Sequence, residues 1–378
     1  MDAKKTRRTR TPGGPSRLDR IAGCLLGGAV GDALGAPIEF LRLSEIRERF
    51  GPAGLTDYAP AYGKLGAITD DTQMTLFTAE GLLRAMCRGA TKGMCDGPTV
   101  FYFAYLRWLK TQGYESKDAH AFRFATEDLP RLDPEGTYPN GWLMGVRALR
   151  ARRGPGNTCL AALQSGRFGR VNDLEPINDS KGCGGVMRAS PAGIVGETVE
   201  RAFELGCQTS VITHGHPTGW LAGGALAAIV FELLAGRTLP EAVDEALRLL
   251  HDGSRPRECR DALRAAVELA GRGVPSAEKL TTLGGGWIAE EALAIGVYAA
   301  LACKTYEEGV LLAVNHGGDS DSTGSIAGNI LGAAMGRKAI PKKWLERLEL
   351  RDVIETISAD LATGFEETDE WWRKYPGC

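Results

Sequence analysis

The chain lacks the paired spacing of soft ligands that builds zinc and redox sites. It has five histidines, and its nine cysteines are scattered singly with no Cys-x-x-Cys pair. That pattern argues against a structural zinc site and against a disulfide framework, and it fits a reducing, cytoplasmic setting. The histidine cluster Thr213-His214-Gly215-His216-Pro217-Thr218-Gly219-Trp220 has no His-Glu-x-x-His spacing and no acid close by, so it does not read as a zinc protease site. There is no excess charge of either sign. Net charge is −2, which predicts neither a nucleic-acid partner nor a membrane partner. No run of about 20 uncharged apolar residues is present, so no membrane span is expected. Strand-like alternation with hairpin turns is scarce, and that points to an all-α protein.

The N-terminus is basic, with Lys4, Lys5, Arg7, Arg8 and Arg10, and Pro12-Gly13-Gly14-Pro15 breaks any helix. Ile21-Ala22-Gly23-Cys24 has the look of a lipoprotein cleavage box. However, Arg17, Asp19 and Arg20 stand where the apolar run of a signal peptide belongs, which argues against export. The chain therefore reads as a disordered basic tail over 1–15, one domain over 16–365 and a C-terminal tail over 366–378, with Trp371 and Trp372 packed on the surface.

What is abundant is glycine, at 50 residues in 378, nearly twice the usual share of about 7%. Gly23, Gly27, Gly31 and Gly35 recur every four residues in a helix that Ser16 can cap. Gly324, Gly328, Gly332 and Gly336 repeat the device near the other end. Four-residue spacing places each set on one helix face and permits close approach of another backbone. The two glycine-faced helices are expected to pack together at the centre of the domain. Further helices are predicted after Asp71 as far as Gly89, over 98–110, 217–235, 241–250, 258–271, 288–303 and 306–315.

Two dense acidic motifs each run directly into an apolar, helix-like stretch. One motif is Thr69-Asp70-Asp71-Thr72. The other is Asp319-Ser320-Asp321-Ser322, preceded by His316-Gly317-Gly318. An acid before a helix caps its N-terminus, and one Asp would suffice for that. So many oxygens in succession exceed capping. If the fold joins the two motifs, they supply the oxygens that a pair of hard divalent cations needs. Asp319, Asp321, Thr323 and Gly324 match the start of a calcium-binding loop, but its twelfth position is Ile330, so that reading fails. Glu39 could add a carboxylate from the loop after the first helix, whereas Asp32 reads equally as a buried structural acid. Ser180-Lys181-Gly182-Cys183-Gly184-Gly185-Val186-Met187-Arg188 is glycine-rich and ends in a cation. It can cradle a phosphate, or it can be a plain turn. Trp287, beside Glu290, can stack a base or can pack on a helix start.

Together these motifs resemble the ADP-ribosylglycohydrolase family, in the family's order and over most of the chain. The resemblance is closest to its ADP-ribosylarginine hydrolase branch. It rests on Gly31-Asp32-Ala33-Leu34-Gly35-Ala36-Pro37, Thr69-Asp70-Asp71-Thr72, Gly182-Cys183-Gly184 with Met187-Arg188, His216-Pro217-Thr218-Gly219 and His316-Gly317-Gly318-Asp319-Ser320-Asp321-Ser322-Thr323. It implies an orthogonal all-α bundle with two Mg²⁺ or Mn²⁺ ions held by Thr69, Asp70, Asp71, Asp319, Asp321 and Ser322. The implied catalytic acids are Asp70, Asp71 and Glu39. The implied substrate contacts are Ser180, Gly182, Cys183, Gly184 and Gly185 for diphosphate and ribose, Trp287 and Glu290 near the adenosine or the distal ribose, and His214 or His216 facing the groove. The implied reaction removes ADP-ribose from arginine on a modified protein. The same chemistry on serine, a nucleic-acid base or O-acetyl-ADP-ribose is the alternative. Another is an immunity role against an ADP-ribosyltransferase toxin, with the tail 1–15 and the segment 88–98 as candidate partner surfaces.

Overall fold

In a computed structural model of the protein, residues 14–130, 137–138, 140–251 and 256–377 are described. Most of the tail 1–15 lies outside them. The described chain is a helical bundle. Its only ladder pairs two two-residue strands, Leu129–Pro130 and Thr137–Tyr138. The all-α expectation is thus met.

The bundle is centred on the helices Arg17–Gly35 and Ser320–Met335, which run antiparallel and share the most intimate contact in the molecule. Ser16 caps the first helix, its Oγ accepting from the Asp19 N–H at 3.1 Å. Glycine then meets glycine along the seam. A Cβ on Gly23 would strike the carbonyl of Gly332, one on Gly27 that of Gly328, and one on Gly31 that of Gly324; each strike has its reciprocal. Gly35 abuts the backbone of Ser320 and Asp321. Gly336 stands just past the second helix at φ +80°, a left-handed position that suits its lack of a side chain.

Glycine in a helix interior costs about 0.5–1 kcal/mol relative to alanine. So many in two helices would be a net loss unless close packing offsets it. Polar side chains then fix the register. Asn329 Nδ2 donates to the Cys24 carbonyl at 2.9 Å in the space that Gly28 leaves, and the Tyr306 hydroxyl donates to the Gly27 carbonyl at 2.7 Å.

Around this pair lie Asp70–Lys92, Gly97–Thr111, Val199–Val211, Pro217–Leu234, Glu258–Ala270 and Ala289–Ala302. Pro217–Leu234 is long and apolar enough to cross a membrane, but 89% of it is buried inside the bundle. The helix after Asp71 runs past Gly89 to Lys92, and Gly93, at φ +70°, caps it. Gly89 is tolerated because its neighbours continue the helical pattern and its own side is open. Residues 88–92 are therefore helix, which shortens the expected loop at 88–98 to a few residues before Gly97. The expectation that Trp371 packs on the surface is corrected. Trp371 and Tyr375 are buried, and the Arg84 guanidinium, also buried, donates Nε–H to the Pro376 carbonyl at 2.8 Å. The apolar rings of Trp371 and Tyr375 and the hydrogen bond from Arg84 hold this segment inward.

The seam makes a sharp prediction. Gly31→Ala should destabilise the protein by about 3 kcal/mol or more, because the added carbon meets backbone that cannot rotate away. Gly89→Ala, with open space at its Cβ position, should stabilise by about 0.5–1 kcal/mol. Urea unfolding of both variants checks the contrast.

Candidate metal centre and substrate cleft

Antiparallel docking of the glycine faces sets the end of the first helix beside the start of Ser320–Met335. The turn before Asp70–Lys92 is tied to the same place by Asp32. This acid is fully buried on the first helix. Both its oxygens accept from Thr69 N–H at 3.0 Å, and Oδ2 also accepts from the Thr72 N–H at 3.1 Å and the Thr72 hydroxyl at 2.5 Å. Asp32 is therefore the structural acid of the site: it shapes the turn that presents Asp70 and Asp71.

The two acidic motifs then meet. The Ser322 hydroxyl donates to Asp71 Oδ1 at 3.4 Å. Carboxylate oxygens of Glu39, Asp319 and Asp321 all lie within 4.8 Å of one another. Thr69 Oγ1 accepts from the Asp71 N–H at 3.3 Å. Asp319 caps its helix, its Oδ1 accepting from the Ser322 N–H at 3.3 Å. Its own N–H donates to the Gly285 carbonyl at 2.8 Å. Asp70 Oδ2 accepts from the Gly156 N–H at 3.1 Å. Two helix N-termini thus converge on the cluster, and their partial positive charge favours carboxylates.

That help is small against the repulsion. Asp32, Asp70, Asp71, Asp319 and Asp321 are buried, and Glu39 is half-buried above them. Among the described residues no Lys or Arg forms an ion pair with any of the six. With protein atoms alone around it, the cluster holds its protons strongly. Burial, then the charges of Asp321, Asp319, Asp70 and Asp32, push the Glu39 carboxyl up to about 10. Burial and then Asp321 push Asp32 up to about 7, against its hydrogen bonds. Burial likewise raises Asp70, Asp71, Asp319 and Asp321. Asp71 Oδ2 is a buried oxygen with no hydrogen-bond partner. All-oxygen donors, an orphaned carboxylate oxygen and uncompensated charge fit hard divalent cations such as Mg²⁺ or Mn²⁺.

The substrate-side motifs line the same place. The Gly182–Gly185 turn is bridged to the Trp287 loop: Cys183 N–H donates to the Trp287 carbonyl at 3.2 Å and Ala289 N–H to the Lys181 carbonyl at 2.8 Å. The Cys183 thiol donates to Asp319 Oδ2 at 2.8 Å, so the turn abuts the acid cluster directly. Ser180 Oγ accepts from the Gly182 N–H at 3.3 Å and pairs with Thr158 Oγ1 at 3.2 Å. Glu290 Oε1 pairs with Lys181 at 2.6 Å, while its Oε2 is buried without a partner. His216 caps Pro217–Leu234, its Nδ1 accepting from the Thr218 N–H at 3.1 Å. His214 is buried beneath Gly182 and Gly184.

Arg188 departs from the phosphate-cradle reading. It is fully buried, stacks over Tyr105 at 4.2 Å and donates to the Thr209 carbonyl, because the turn at Cys183–Gly185 carries the chain inward before reaching it.

Three neighbours of the site were not read from the sequence. Phe40, at φ +68° and largely exposed, stacks on Trp287 with ring centroids 5.3 Å apart. Tyr62 sits on a tight turn, Ala61 to Lys64, at φ +50°. A Cβ on Gly154 would lie 3.3 Å from the Tyr62 hydroxyl, 3.7 Å from Asp70 Oδ1 and 3.9 Å from Glu39 Oε2. Gly154 and Gly156 in Arg153-Gly154-Pro155-Gly156 form a second glycine turn against Asp70, and that Gly-Pro-Gly was its visible signal.

A family model described as ADP-ribosylglycohydrolase matches residues 14–370. The chain is 29% identical to the ADP-ribosyl-[dinitrogen reductase] glycohydrolase of Rhodospirillum rubrum, over 92% of this chain and 98% of that protein. It is 24% identical to the ADP-ribosylarginine hydrolase Tri1 of Serratia proteamaculans, over 91% and 79% respectively. A solved structure titled ADP-ribosylglycohydrolase-related protein complex superposes with a TM-score of 0.59 at 26% identity, covering 92% of this chain and 98% of that one.

The electrostatics predict a pH signature. A carboxyl whose folded pKa is raised keeps its proton longer when folded. The cluster's contribution to stability is therefore greatest below about pH 4 and falls as pH rises through the folded values, about 7 for Asp32 and about 10 for Glu39. Chelated protein should lose melting temperature from about pH 6 to about pH 9, and Mg²⁺ or Mn²⁺ should remove most of that slope. Equal slopes with and without the ion would contradict the cluster's role.

Proposed function

The chain belongs to the ADP-ribosylglycohydrolase family, hydrolases of glycosyl bonds, and from that premise we propose that it is a metal-dependent hydrolase releasing ADP-ribose from arginine on modified proteins. The observation that carries this reading is the buried cluster of carboxylates from both ends of the chain with no protein cation to balance it. Thr69, Asp70, Asp71, Asp319, Asp321 and Ser322 would hold two Mg²⁺ or Mn²⁺ ions. When bound, such ions grip ribose hydroxyls and activate water.

The chain's own residues do the rest. The Gly182–Gly185 turn, whose glycines permit close approach, and Ser180 cradle the diphosphate and ribose. Trp287 stacks the adenine, and Glu290 lies beside it. Breaking the N-glycosidic bond builds oxocarbenium-like charge on the ribose, and the surrounding carboxylates favour it. Asp70 or Glu39 serves in proton transfer. Glu39 suits this role because it sits on the loop beyond the first helix, close to Asp319 and Asp321 yet less buried than they are.

Arginine is the acceptor favoured here for two reasons. A guanidinium is a cation, and the mouth between Glu39, Asp70 and Tyr62 is lined with carboxylate and phenol oxygens. The Serratia relative is also named as acting on that linkage. The eight free cysteines among the described residues suit the reducing cytoplasm as the place of action.

The test is release of ADP-ribose from protein modified at arginine and, in parallel, at serine, with Mg²⁺ or Mn²⁺ and with EDTA. Metal-dependent release from arginine alone is expected. Asp70→Ala and Asp321→Ala should each lower turnover at least about a hundredfold while circular dichroism stays helical. Release from serine alone would overturn the acceptor.

A further inference from the structure

Arg188 is a buried cation with no acid against it. Among the described residues it forms no ion pair, and its Nε has no partner. Its Nη1 faces Met74 Sδ and Cys159 Sγ, each at 3.4 Å, and its Nη2 donates to Thr213 Oγ1 at 2.7 Å. Thr213 Oγ1 in turn lies 2.9 Å from His214 Nδ1. Both side chains are buried.

The direction of this chain follows from donor chemistry. Guanidinium has only donors, so the Thr213 oxygen accepts from Arg188. The single hydroxyl proton then goes to the better acceptor within reach. Imidazole nitrogen is a far better acceptor than the Cys159 sulfur beside it. Nδ1 therefore accepts, and the ring proton sits on Nε2. Burial and then the Arg188 charge push the His214 pKa down to about 3, so the ring does not gain a second proton near neutrality. Nε2 finds no acceptor among the described residues. Cβ atoms on Gly182 and Gly184 would lie 3.4 Å and 3.3 Å from it, so the missing side chains leave that ring edge uncovered beneath the substrate turn.

We propose that Arg188 and Thr213 are positioning residues that lock His214 as its Nε2–H tautomer, a fixed donor to an oxygen of ADP-ribose held over Gly182 and Gly184. The ligand half of this inference rests on the reading of the site given above. The tautomer half does not.

The experiment uses the full chain with ¹⁵N-labelled histidine. A long-range ¹H–¹⁵N spectrum at neutral pH, assigned by loss of the signal in His214→Gln, reads which nitrogen is protonated. ADP-ribose affinity is measured by calorimetry on the same samples. Wild type should show protonated Nε2. Thr213→Val should lose the single tautomer and weaken ADP-ribose binding about tenfold, the size of one hydrogen bond. Thr213→Ser should restore both. Arg188→Met, close in shape, should move proton density to Nδ1; if it does not fold, the Thr213 pair decides alone. A wild-type ring protonated at Nδ1, or a Thr213→Val variant that binds ADP-ribose as wild type does, would overturn the proposal. Wild type that binds no ADP-ribose would refute the site assignment and the donor role with it, while the ligand-free spectrum still decides the relay.

Discussion

Two helices from opposite ends of the chain touch backbone to backbone, and every functional group described above takes its place from that contact. Glycine at every fourth position removes the side chains that would keep the axes apart, Asn329 hydrogen-bonds across the seam to the Cys24 carbonyl to set the register, and Tyr306, from the neighbouring helix Tyr306–Val314, donates to the Gly27 carbonyl. The consequence at one end of the seam is chemical. Gly35 lies on the backbone of Ser320 and Asp321, so the chain leaving the first helix delivers Glu39 to Asp319 and Asp321. Asp32, on that same helix, collects the Thr69–Thr72 turn. A shift of one residue along the seam would put alpha carbons against beta carbons and part the acids.

The cluster assembled there works against the stability of the fold that holds it. Buried carboxylates without counter-cations favour their neutral forms, and two helix N-termini offset only part of the cost, each worth up to about 2 kcal/mol in a favourable buried geometry. Such a site is best understood as pre-organised for positive charge. Its surroundings follow the same logic. The glycine turns at Gly154–Gly156 and Gly182–Gly185 bring bare Cα atoms to its edge, and the Gly156 N–H is held by Asp70. Phe40, next to Glu39, stacks on Trp287, and the Tyr62 hydroxyl lies near Gly154 together with Glu39 and Asp70.

The helical class, the glycine seam and the meeting of the two acidic motifs were legible in the sequence because each rests on periodicity or local density, which survive without coordinates. Individual side-chain directions were not. Arg188 follows a glycine-rich run as a phosphate-binding cation would, yet a short turn points it into the core. Tyr62 and Phe40 look like ordinary loop aromatics. Their positive φ angles, which aim them at the site, come from a tight turn and from the exit of the first helix, and nothing in residue type announces them. Trp371 reads as a surface residue near a chain end, and only the buried Arg84 donor shows why that end is drawn inward.

The most direct test of the central claim is to count Mn²⁺ on the purified chain and record its electron paramagnetic resonance spectrum. Two ions per chain with the exchange-coupled spectrum of a close pair are expected, and Asp71→Asn should abolish the coupling. A single uncoupled ion, or none at millimolar Mn²⁺, would contradict the claim.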